Sequence, residues 1–253
     1  NSASAVGPAV AGVVYARLGP AWCFAVNGIS FLAVIAALLA MRLRVQPERM
    51  GRNPVLADLR EGLGYVVAHP SIRALVGLVA VTTLFGVSFA TLIPAWAVRV
   101  LGGDARTNGM LVSARGAGAL IGALTIASLG RFRYRGRLLT LGTFAFPAGL
   151  IVFSMARWLP VSMLTLLAVG AAQIMVMNLA NSLVQTEAAD QLRGRVMSIY
   201  SLVFFGLLPI GGLLAGAVAQ EIGEPATVMI SALIGVGFAG AIWARIPRLR
   251  ALQ

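Results

Sequence analysis

Apolar positions in this chain come in unbroken runs instead of alternating with polar ones, and eight such runs can be marked: 3–16, 20–41, 74–98, 109–129, 138–156, 161–183, 196–219 and 226–244. An α-helix rises ~1.5 Å per residue, so about 20 apolar residues cross a hydrocarbon layer of ~30 Å. Most of these runs have that length, and each predicts a membrane helix. A membrane β-barrel would alternate lipid-facing and lumen-facing residues, which these runs do not do. The pattern therefore predicts an all-α integral membrane protein with eight transmembrane helices.

The polar connectors alternate in charge. One set holds Arg42, Arg44, Arg49, Arg52, Arg60, Arg73, Arg131, Arg133, Arg135, Arg137, Arg193, Arg195, Arg245, Arg248 and Arg250, while the other holds Arg17, Arg99, Arg106 and Arg157. That is 15 against 4, with Arg115 left inside a run. Basic connectors stay in the cytoplasm, so the Arg-rich set, the C-terminus and Asn1 are expected on that side. One connector is long, 42–72. Within it Leu56, Leu59, Leu63 and Val66 share a helical face, which predicts an amphipathic segment. It would lie on the membrane surface or pack against the protein's own cytoplasmic face.

Composition narrows the function. Of 253 residues, 59% are hydrophobic and 11% charged, and the mean hydropathy is +0.89. A soluble domain is typically about 25% charged, so a soluble enzyme is excluded. The formal charge of +12 comes from arginine alone and sits between apolar runs, without a stripe of stacking aromatics, so nucleic acid is not an expected partner. Cys23 and His69 are single, which leaves no disulfide, no metal cluster, no cofactor site and no catalytic constellation to assemble. His69 reads as a solvated connector residue beside Pro70.

An internal repeat organises the runs. A shift of 204 residues sets Gly7 on Gly211, Ala11 on Ala215, Gly12 on Gly216, Val14 on Val218 and Gly19 on Gly223. Six helix starts separate the copies, the arrangement of a transporter made of parallel six-helix halves. Residues 1–41 then read as the last two helices of a first half whose other four would precede Asn1. Residues 42–72 read as the connector, 73–246 as a complete second half, and 247–253 as a tail.

Several segments make the chain resemble the major facilitator superfamily, and within it the bacterial efflux branch of enterobactin-exporter-like and macrolide-efflux-like proteins. Gly7-Pro8-Ala9-Val10-Ala11-Gly12 is similar to the antiporter motif of the fifth helix, with Ala11 in place of one glycine. Asp190-Gln191-Leu192-Arg193-Gly194-Arg195 is similar to the loop between helices ten and eleven, and Leu59 to Tyr65 with His69-Pro70 to the connector between halves. At Gly130 to Arg137 only Gly136-Arg137 fits the family's loop motif, and Arg133 stands where an Asp is expected. The resemblance implies a multi-pass protein of the bacterial inner membrane. It would export a small amphipathic compound, such as a drug or siderophore, by alternating access. A lysophospholipid flippase of the same fold and a non-transporting scaffold or sensor are the alternatives.

The candidate pathway residues follow from polarity inside the runs. Arg115 is the one charge well inside a span, about 9 Å from its outer end at ~1.5 Å per residue. It could snorkel outwards or face a central cavity and hold an anionic substrate. Asn178, Asn181 and Gln185 fall within a sector of about 60° on one helix, either for bonds between helices or for substrate contact. Thr82 and Thr83 are further candidates, as is Thr91, although Thr often bonds its own helix backbone. All eight acidic residues lie in connectors or at span ends. If protons drive export, the titrating group belongs to helices ahead of Asn1.

Overall fold

The computed structural model describes residues 20–41, 55–128 and 135–245. These form α1 (Pro20–Ala40), α2 (Val55–Ala68), a broken rod α3 (Pro70–Val100), α4 (Ala105–Ser128), α5 (Arg135–Met155), α6 (Leu159–Glu187), α7 (Arg193–Ile222) and α8 (Glu224–Arg245). No strand occurs among the described residues. The six from α3 to α8 are long and apolar enough to cross a membrane, and α1 carries a shorter apolar stretch, Phe24–Ala40. The run 3–16, with Gly7, Pro8 and Gly12, lies outside the described residues, as do Arg131, Arg133, Arg248 and Arg250.

The helices α3, α6, α7 and α8 outrun their apolar runs at both ends, and caps set several helix limits. His69 is extended and Pro70 opens α3, where a missing N–H costs nothing. Asp104 precedes α4, and its Oδ1 accepts the backbone N–H groups of Arg106 and Thr107 at 3.0 Å each. Those bonds, Thr107's first, hold the Asp104 carboxyl below the usual carboxylate value. Gly223, at φ +83°, ends α7 in a conformation that a side chain would strain.

Two apolar clusters stack along the bundle. Toward the Arg-rich end, Leu75, Val79, Leu183, Val196 and Trp243 are buried together. Toward the other end, Phe89, Trp96, Phe153, Leu166 and Val169 form the second cluster, with Trp96 stacked on Phe153 at 4.3 Å. Described side chains of α1, by contrast, are exposed from end to end.

Two kinds of seam join the helices. Between α4 and α6 the backbones nearly touch: a Cβ on Gly118 would collide with the Leu167 carbonyl, one on Gly122 would lie 2.5 Å from the Ala171 carbonyl, and one on Gly170 would strike the Arg115 carbonyl. Small residues allow this approach, which substitutes dispersion for the hydrophobic effect absent in lipid. The seam between α3 and α7 is different. There α3 gives way to a π-turn at Thr82–Gly86, a 3-10 stretch at Val87–Leu92 and a second π-turn at Trp96–Val100. Gly211 of α7 faces the Leu84 carbonyl and the Ser88 hydroxyl. Ser88 Oγ lies 2.8 Å from the Thr83 carbonyl and 3.4 Å from the Leu208 carbonyl across the seam.

The connector helix α2 packs through Gly62 and Val66, with Asp58, Glu61 and Tyr65 beside them, and leaves Leu59 and Leu63 exposed. A close approach to α7 selects the glycine: a Cβ on Gly62 would lie 3.3 Å from the Arg195 Cβ.

Candidate functional site

The polar residues inside the spans occupy three places. On α6 the amides share a face as their spacing predicts. Asn178 and Gln185 are exposed, Asn181 is half-buried, and Gln185 Nε2 donates to Asn181 Oδ1 at 2.5 Å, one turn away. Tyr200 of α7 closes this group from the side. Its hydroxyl donates to the Met177 carbonyl at 3.2 Å and has Asn181 within hydrogen-bonding reach.

Arg115 lies further from the Arg-rich end. Its backbone is level with Gly170 of α6, and eight residues of helix, about 12 Å, separate Gly170 from Asn178. The guanidinium is half-buried over the Phe89 ring, 5.9 Å from the centroid, with Nη1 enclosed and without a hydrogen-bond partner. Cation–π attraction of about 0.5–2 kcal/mol offsets only part of the cost of withdrawing such a group from water. Two helical turns away on the same face, Asn108 Oδ1 is also enclosed and unbonded. Its spacing of seven from Arg115 was a readable signal that polarity alone did not raise.

The α3 hydroxyls lie elsewhere. Thr82 lines a narrow crevice with Val81, Gly86, Thr143, Phe146 and Ser231, between α3, α5 and α8 and away from the amides. Thr83 is fully buried, with its Oγ1 unbonded. Thr91 Oγ1 returns to the Ser88 carbonyl at 2.8 Å and faces Gly212 of α7. Of the three, Thr91 touches α7 and Thr82 opens on the crevice.

The loop residues split likewise. Gly136 is buried in the first turn of α5, where its carbonyl accepts Thr140 Oγ1 at 2.7 Å, and Arg137 is exposed. Arg193 ties the start of α7 to the end of α6, donating to the Gln185 carbonyl at 3.0 Å and pairing with Asp190. Arg195 leaves that loop for α2, and Gly194 between them has open space around it. No metal-ligand cluster occurs among the described residues. At the opposite end, Glu224 is buried and pairs with Arg99 at 3.0 Å, an acid that span polarity alone did not bring out.

Residues 1–253 match the family described as transmembrane secretion effectors. The multidrug efflux pump Tap of Mycolicibacterium fortuitum is 29% identical over 253 residues, which cover 98% of this chain and 61% of the pump. The Tap pumps of Mycobacterium bovis and Mycobacterium tuberculosis are 30% identical over 272 aligned residues, covering all of this chain and 61% of theirs. The chain thus spans about three fifths of the length of the curated relatives it matches.

Proposed function

The chain belongs to the transmembrane secretion effector family of the major facilitator superfamily, and from that premise we propose that it supplies the second half and part of the first half of a drug exporter working by alternating access. In this reading residues 73–246 are the six-helix second half, 1–41 end the first half, and 42–72 connect them. The Arg-rich connectors and the C-terminus face the cytoplasm of a bacterial inner membrane. Substrates are small amphipathic compounds, in keeping with relatives named multidrug efflux pumps. Protons, if they drive export, act through an acid outside the described spans.

The observation that carries the reading is the amide face of α6. An exposed Asn178 inside the apolar run 161–183 would be costly against lipid tails, so that face meets water or polar surface. Asn178, Asn181 and Gln185 then line the pathway, and Arg115, with an unused donor beside Phe89, holds an acidic group of the substrate further along it.

Whole-cell accumulation of fluorescent amphiphiles tests this in the full-length protein. Wild type is expected to lower accumulation, and Asn178→Leu and Arg115→Ala to abolish most of that effect at equal membrane abundance. Arg115→Lys should recover part of it for acidic probes, since the charge stays while the planar fork is lost. Accumulation equal to that of cells without the protein, for every probe, would end the reading.

A further inference from the structure

We infer that Arg195 makes the connector helix a fixed part of the second half, a brace that travels with α6 and α7 instead of lying on the membrane or moving with the first half. Four contacts meet at this point. Arg195 Nη1 pairs with Glu61, and its Nη2 lies 2.8 Å from Asp58 Oδ1, close enough for an ion pair though off the line of an N–H bond. One guanidinium thus holds two carboxylates one turn apart on α2. Gly62, next to Glu61, lies against the Arg195 backbone, 3.3 Å from its carbonyl oxygen to a Cβ placed on the glycine. Tyr65, one turn on, accepts the backbone N–H of Ala189 at 3.2 Å, so the loop before α7 is held as well.

The ion pairs alone would not suffice. Both carboxylates are about half exposed, and such pairs are each worth little in water. What makes the dock specific is their coincidence with a close glycine contact, where a Cβ would ask its neighbour to give by a few tenths of an ångström, and a tyrosine reaching the adjacent loop. The loop is itself tied to α6, because Arg193 binds the Gln185 carbonyl and Gln185 binds Asn181. The brace is therefore one loop away from the amide face, and Arg195 is a positioning residue with no contact to substrate. The part of the inference that concerns export rests on the proposed function, whereas the docking does not.

A disulfide reads it directly. The Cβ separation at Gly62 and Arg195 is within a few tenths of an ångström of the ~3.5–4.5 Å that a disulfide requires. In full-length protein with Cys23→Ser, Gly62→Cys with Arg195→Cys should oxidise nearly completely in membranes, with or without a fluorescent amphiphile present, as counted by loss of maleimide-reactive thiols. The oxidised protein should export within twofold of the same protein reduced. Failure to form the bond, or formation that depends on the amphiphile, overturns the dock. An oxidised protein whose export falls tenfold and returns on reduction shows a helix that must leave, which also overturns it. If neither form exports, the proposed function is at fault while bond yield still decides the docking. A second variant leaves the Gly62 contact intact: Asp58→Asn with Glu61→Gln should raise the labelling rate of Val66→Cys, buried in the docked helix, by a water-soluble thiol reagent about tenfold, and an unchanged rate would remove Arg195 from its role.

Discussion

The α4–α6 seam and the α3–α7 seam are built from the same residue type and behave as opposites. In the first, Gly118, Gly122 and Gly170 let two regular helices lie backbone on backbone. Every neighbour there is a carbonyl or main-chain atom, so nothing can give. In the second, Gly211 and Gly212 face a helix that has already given way to π and 3-10 turns, and the neighbours include the ends of Ser88 and Thr91. Such irregular turns mark hinges and functional sites more often than regular helix does. The comparison teaches that glycine in a membrane helix can lock a contact or leave it adjustable, depending on what it touches.

The comparison breaks if the first seam tolerates bulk. Gly118→Leu should cost more than any other change, leaving less than about a tenth of wild-type folded protein in detergent by size-exclusion chromatography. Even Gly118→Ala should cost about 1–3 kcal/mol, read as a lower unfolding temperature, because the Leu167 carbonyl cannot move aside. Next comes Gly211→Ala, whose Cβ meets a movable hydroxyl as well as the Leu84 carbonyl. It should lower folded yield less than Gly118→Ala does but export more, and equal losses of both in the two variants would erase the distinction. Ser88→Ala sharpens it further. Loss of the hydroxyl should cost about 0.5–1.5 kcal/mol in thermal unfolding, the worth of one hydrogen bond, and Thr83→Ala, whose own hydroxyl is unbonded, should cost less.

The smallest effect lies at the start of α4, before the rigid seam begins. Asp104 has a lowered pKa in the folded protein. It therefore contributes stability above its unfolded value and loses it as pH falls through the depressed folded value. Amide exchange at Arg106 and Thr107 should quicken below that value while Gly118 stays protected. Equal acceleration along α4 would show that the cap supports the seam, against the contrast drawn here.

Some of the site was legible beforehand. Three amides at 178, 181 and 185 must share a helical face whatever surrounds them, and the Gln185–Asn181 bond follows from one turn of helix. Arg115 stood out because a charge in an apolar run is conspicuous. Its surroundings were not legible: whether it snorkels depends on where Phe89 sits, and Phe89 is brought there by the bend in α3. The docked face of the connector helix was not legible for a related reason. Periodicity marks Leu59 and Leu63, which are exposed, whereas the docked face carries a glycine and two acids whose partner lies 134 residues from Glu61.

What the sequence determined by itself is the helical, membrane-spanning class and the division of its connectors by charge, because lipid demands that each span satisfy its own backbone and leaves a length and polarity signature in every run. Only the tertiary structure decided where α3 breaks, which glycines lock and which yield, and what Arg195 holds. Those outcomes depend on atoms from helices distant in sequence arriving within a few ångströms of one another, and no periodicity within a single helix encodes the identity of its neighbour.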